Sequence, residues 1–157
     1  FVSSNYKMKQ LVLFVFFSSA FLSNAQEQKR TQSFNLEDGL AVQGYDVVAY
    51  FSEAKAVKGI PAYTVFHQGV KYRFSSVVNK DEFKKNPAKY EPQYGGWCAF
   101  AMGDYGKKVE IDPETFKIVN GRLYLFYNKG FNSTLKSWNK NEAVLKSNAD
   151  INWAKLF

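Results

Sequence analysis

Alternation of apolar and polar positions is clearest in two stretches of the chain. Ala62–Phe66 and Val70–Phe74 flank His67-Gln68-Gly69, and Val70, Tyr72 and Phe74 share one face, which predicts a β-hairpin with a short loop. Phe116–Val119 and Arg122–Tyr127 flank Asn120-Gly121, a pair suited to a turn whose two central residues both need positive φ, so a second hairpin with a type I′ turn is expected. Val47–Phe51 is β-rich and apolar on both faces and reads as a short buried strand. Ser75 or Ser76 stands where it can cap a helix in which Val77, Val78 and Phe83 face the core. Asp81 and Glu82 precede Lys84 and Lys85 in the order the helix dipole favours, and Pro87 ends the segment. Gly95-Gly96 calls for a turn, with a short helix in the apolar run after it. Asn132-Ser133 is placed to cap a helix from about Thr134, and Trp138, Ala143, Leu145, Ile151 and Trp153 supply apolar positions to one or two terminal helices. The order strand, hairpin, helix, hairpin, helix predicts an α+β fold: a small, largely antiparallel sheet built from hairpins, with helices packed on it. No internal repeat is expected.

The start of the chain reads differently. Met8 and Lys9 precede an apolar run, Leu11 to Leu22, that falls short of the ~20 residues a spanning helix needs. Ser23-Asn24-Ala25 closes it with small residues. Residues 1–25 are therefore expected to be a secretory signal peptide, initiated at Met8 and cleaved before Gln26. Residues 26–38 are polar and aperiodic, a flexible leader to a domain spanning 39–157. An exported chain, periplasmic or extracellular, with no transmembrane segment after cleavage follows from this. The formal charge of +7 is spread among interleaved acids, with no dense Lys/Arg run carrying stacking aromatics, so nucleic acid is not an expected partner.

Candidate chemistry is sparse. With one cysteine, Cys98, the chain can form no internal disulfide, and with one histidine, His67, it cannot build a four-ligand structural zinc site of the usual type. Cys98, His67 and Met102 offer a thiolate, an imidazole and a thioether, donors that suit a copper-like ion. Cys98 and Met102 would share a helix face if residues 97–103 are helical. The alternative is a buried core thiol with Met102 filling a gap. Tyr45, Asp46, Tyr94, Gly95, Gly96 and Trp97 are candidate ligand-binding residues, because glycines let a ligand or second chain approach the backbone closely and aromatic rings can line a pocket. No nucleophile elbow, phosphate loop or Cys-x-x-Cys pair occurs.

Tyr72-Arg73-Phe74-Ser75-Ser76-Val77-Val78-Asn79, followed by Asn86-Pro87 and Tyr90-Glu91-Pro92, resembles the YHS domain, a module related to Cys-rich metal-binding domains. Gly44-Tyr45-Asp46-Val47-Val48-Ala49-Tyr50-Phe51, Tyr94-Gly95-Gly96-Trp97-Cys98-Ala99 and Gly121-Arg122-Leu123-Tyr124-Leu125-Phe126-Tyr127-Asn128 extend the resemblance to the exported bacterial branch. In metal-binding relatives two thiols stand where this chain has Ser75 and Asn79. The resemblance implies a YHS-like α+β fold and a small binding module, for a metal or a small ligand around Cys98. A thiol-based redox protein or enzyme using Cys98, and a protein-interaction module without chemistry, are the alternatives.

Overall fold

The computed structural model describes residues 24–157, and the expected signal segment lies outside the described residues up to residue 23. Both hairpins form. Strands β3 (Ile60–His67) and β4 (Val70–Phe74) pair antiparallel, as do β5 (Asp112–Val119) and β6 (Arg122–Phe126). Asn120 and Gly121 both take positive φ, as a type I′ turn requires. Two short strands, β1 (Leu36–Glu37) and β2 (Leu40–Ala41), extend the first sheet in the order β1-β2-β4-β3, with β2 parallel to β4. A small ribbon, β7 (Asn128–Lys129) with β8 (Asn132–Ser133), follows the second hairpin. Helix α3 (Val77–Lys85) starts at Ser76, whose side chain accepts the Asn79 N–H. Pro87 opens the short α4 (Pro87–Tyr90), and α6 (Thr134–Lys140) and α7 (Glu142–Leu156) end the chain. The fold is α+β.

Three local expectations are corrected. Val47–Phe51 is not a strand: Asp46 accepts the Val48 and Ala49 N–H groups, in the manner of a helix cap, and the chain turns into α2 (Ala49–Ser52). Val77 and Val78 do not face the core but are exposed; the Ser76 cap sets the helix phase so that Asn79 and Phe83, one turn apart, point inward. The polar segment expected as a flexible leader is helical over residues 24–33, which we call α1, and it is docked rather than free. Arg30 forms an ion pair with Glu91, Trp97 donates its indole N–H to the Ser33 carbonyl at 2.7 Å, and the Asn35 N–H reaches the Gly95 carbonyl at 2.9 Å. Ala25 and Gln26, the expected cleavage pair, are exposed on this helix.

An internal repeat is also present. The register of the second hairpin reproduces the first 52 positions later: Ile60 pairs with Phe74 as Asp112 pairs with Phe126, Thr64 with Arg73 as Phe116 with Leu125, and both carry a bulge at the same place. The correspondence runs upstream. Val42–Gly44 and Tyr94–Gly96 are each three successive left-handed residues, closed by Tyr45 N–H to Val42 C=O (3.0 Å) and Trp97 N–H to Tyr94 C=O (3.1 Å). The Asp46 N–H bonds Val57 O at 2.8 Å as the Cys98 N–H bonds Val109 O at 2.9 Å. The parallel pairing of Leu40 with Lys71 returns as Pro92 with Leu123. A short helix follows each turn, α2 in one half and α5 (Ala99–Asp104) in the other. The halves interlock, since the Tyr50 hydroxyl donates to Pro113 O at 2.9 Å and the Tyr50 ring meets Phe116 edge-on.

The second half carries a core of its own around Met102, Tyr124, Phe126 and Trp138, closed by α7 through Leu145 and Ala149. At that closure α5 lies against α7 with Gly103 beside Leu145: a Cβ on Gly103 would stand 2.4 Å from the Leu145 carbonyl oxygen. Gly103→Ala is therefore expected to cost ~1–3 kcal/mol by forcing two backbones apart. Urea unfolding checks this, and a variant as stable as the parent would show that the helices separate freely.

Candidate functional site

The repeat brings Asp46 and Cys98 to equivalent places, where each receives the backbone N–H that follows the end of its hairpin. Ser75 N–H donates to Asp46 Oδ2 at 2.8 Å, and Tyr127 N–H approaches Cys98 Sγ at 3.3 Å. Asp46 is fully buried, and Ser75 Oγ–H (2.7 Å) and the Asn79 side-chain amide (2.8 Å) also donate to its Oδ2. The two positions at which relatives of the resembled family carry thiols thus meet over one carboxylate. Donors occupy both of its oxygens, so this cluster organises the joint of α2, β4 and α3.

Cys98 is fully buried, with the Thr134 hydroxyl 3.4 Å from its sulfur. A thiol with no exposed surface meets neither solutes nor ions unless the fold opens. Met102 is one helical turn away and equally buried, but it packs in the second core whereas Cys98 packs in the first. His67 is half-buried at the end of β3, its ring 5.9 Å from Phe83. Cys98 and Met102 thus belong to different core clusters, and His67 packs its ring on Phe83 and pairs with Val70. Among the described residues no group of three or more His, Cys, Asp or Glu side chains is arranged to hold a metal ion.

The candidate ligand residues also divide. Asp46 belongs to the buried cluster, and Tyr45 lies beside Lys58, whose Nζ is 5.2 Å from its ring centre. Trp97 is held by Ser33, with Lys108 over its ring at 5.8 Å. Gly96 stays in the turn with φ +84°. Tyr94 and Gly95 instead line a surface cleft of about 350 Å³. The close approach anticipated at Gly95 is made by the chain itself. A Cβ there would lie 2.8 Å from Phe34 and 2.9 Å from Trp153, so this glycine lets the end of α1 and the side of α7 converge on the turn.

No family model, no curated protein and no solved structure matches this chain.

The cleft walls come from four parts of the chain. Arg30 and Phe34 are supplied by α1 and the residue after it, Glu91 and Pro92 by the segment entering the turn, Arg122 by the start of β6, and Asp150, Trp153 and Phe157 by the end of the chain. Trp153 and Phe157, four residues apart, stack at 5.3 Å with planes 5° apart, and Phe34 packs on both at about 6 Å. The Arg30 guanidinium lies 4.4 Å from the Phe34 ring centre. The Tyr94 hydroxyl donates to Asp150 at 2.9 Å, and burial first, then this bond, pushes its pKa above the ordinary phenol value. Tyr94 stays a neutral donor at any physiological pH. Sequence reasoning missed Arg30, Phe34, Arg122, Asp150 and Phe157 as cleft residues. The one available signal was the i, i+4 pair Trp153/Phe157 on a terminal helix.

Proposed function

We propose that the chain is an exported binding module of the YHS type that holds a small organic ligand in the cleft beside Tyr94 and Gly95. The observation that carries this reading is the cleft itself. Its volume of about 350 Å³ falls within the ~300–1,000 Å³ typical of ligand pockets. It also joins a cluster of three aromatic rings to a few polar groups. Burial of Cys98 favours this cleft over a copper-like site at the thiol. The secretory pattern before Gln26 and the quoted motifs support export and the family reading.

Native mass spectrometry of residues 26–157, purified from the exported fraction without chelator, tests the proposal against Ala154→Trp, which places a large ring at the exposed rim of the cleft. An organic mass carried by the parent and absent from Ala154→Trp is expected. A copper mass, or any mass retained by Ala154→Trp and lost from Cys98→Ala, overturns the cleft reading in favour of the thiol.

A further inference from the structure

The polar groups around the cleft are unevenly matched. Glu91 Oε1 receives both the Arg30 guanidinium at 2.5 Å and the Tyr72 hydroxyl at 2.7 Å. Asp150 is likewise engaged, with Tyr94 on Oδ1 and Lys146 Nζ on Oδ2 at 2.7 Å. Arg122 lines the same cleft as Asp150. Arg122 itself is exposed, and among the described residues it has no hydrogen-bond or ion-pair partner. Each lining carboxylate thus has its cation; Arg30 keeps a buried Nε–H without a partner although its charge is met by Glu91, and Arg122 on the rim has its whole guanidinium free among the described residues.

Two complementary features remain for a ligand: the Trp153/Phe157/Phe34 surface, which suits a planar apolar group, and cations without a carboxylate partner among the described residues, Arg122 on the rim and Lys29, whose Nζ lies 5.6 Å from the Phe157 ring centre. We propose that the ligand class is a small aromatic carboxylate, its ring laid against Trp153 and Phe157 and its carboxylate taken by Arg122. This rests on the cleft reading above. A guanidinium matches a carboxylate with two parallel N–H···O bonds, and ring stacking adds to burial. An aromatic acid uses the ring surface and the guanidinium together, whereas inorganic phosphate has no ring to pack there and meets the Asp150 and Glu91 carboxylates that line the cleft.

The test is calorimetric titration of residues 26–157 with phenylacetate, 4-hydroxyphenylacetate and indole-3-acetate, each beside its neutral amide, with acetate and inorganic phosphate as further probes. At least one aromatic acid is expected to bind about tenfold or more tightly than its amide and than acetate. Arg122→Gln should remove that preference and leave amide binding unchanged; Arg122 is exposed, so an unaltered melting temperature is expected to confirm intact folding. Ala154→Trp should abolish both. Equal affinity for acid and amide, lost in Ala154→Trp, overturns the carboxylate assignment and keeps the cleft. Phosphate binding more tightly than every aromatic acid also overturns it. Absence of binding by every aromatic acid overturns the assignment, and the mass carried by the parent protein then decides the cleft reading separately; binding indifferent to Ala154→Trp overturns both.

Discussion

Replacing Asp46 with alanine is expected to lower the unfolding free energy by about 3–5 kcal/mol, a large share of the ~5–15 kcal/mol typical of a domain. The carboxylate is fully buried and accepts hydrogen bonds from Val48, Ala49, Ser75 and Asn79. Removing it strands several donors in a place water does not reach, and each buried unsatisfied group costs ~1–3 kcal/mol. Asp46→Asn should fare little better, because its amide presents N–H groups to donors. Cys98→Ala, at the equivalent position of the other half, is expected to cost far less, because a sulfur is a weak acceptor and Thr134 keeps its bond to Tyr127 O at 2.9 Å. Urea denaturation of the three variants decides it. A loss below about 1 kcal/mol for Asp46→Ala would mean that the donors find other partners and that the cluster does not organise the joint.

Trp138→Ala should be comparably severe, about 3–5 kcal/mol, for a different reason. Its ring is fully buried, 5.7 Å from Tyr124 and 5.5 Å from Phe126, and removing it empties the centre of the second core. The indole N–H, however, is buried without a partner. Phenylalanine gives up some volume but also discards that unsatisfied donor, so Trp138→Phe is expected to lose no more than about 1.5 kcal/mol. Thermal and urea unfolding of the pair separate packing from polarity. Equal losses in the two variants would contradict the unpartnered state of the N–H.

The hairpins were readable because their turns leave local marks. Asn120-Gly121 satisfies a backbone requirement that few other pairs meet, His67-Gln68-Gly69 offers a glycine in a short loop, and the flanking runs alternate at the strand period. Val47–Phe51 was misread because β-branched residues argue for a strand, whereas a single side-chain acceptor at Asp46 was enough to start a helix. Val77 and Val78 misled in the same way: composition called them core, but the cap at Ser76 fixed the helix phase and gave the inward places to Asn79 and Phe83. The repeat left few identities in the sequence. Those that survive, such as Gly44 with Gly96, Pro61 with Pro113, Gly69 with Gly121, Tyr72 with Tyr124 and Phe74 with Phe126, are scattered among positions whose residues differ. Of the candidate site, Tyr94 and Gly95 were legible from the turn they build. Arg30 and Phe34 were not, because their partners Glu91, Gly95 and Trp153 lie far along the chain and a polar stretch carries no sign of what it will dock against.

The docked α1 segment makes the cleft depend on a short stretch of chain far from its hairpins. One wall of the cleft is made by Arg30 and Phe34, which lie only a few residues beyond the junction that the secretory pattern marks for cutting. A cut before Gln26 would keep both residues in the chain. Trimming by an exopeptidase past Phe34 would remove the Glu91 counter-ion and the ring packed on Trp153 in one step, while both hairpins and their turns stayed whole. The presence of residues 24–34 would then decide whether the protein has a closed cleft or an open groove.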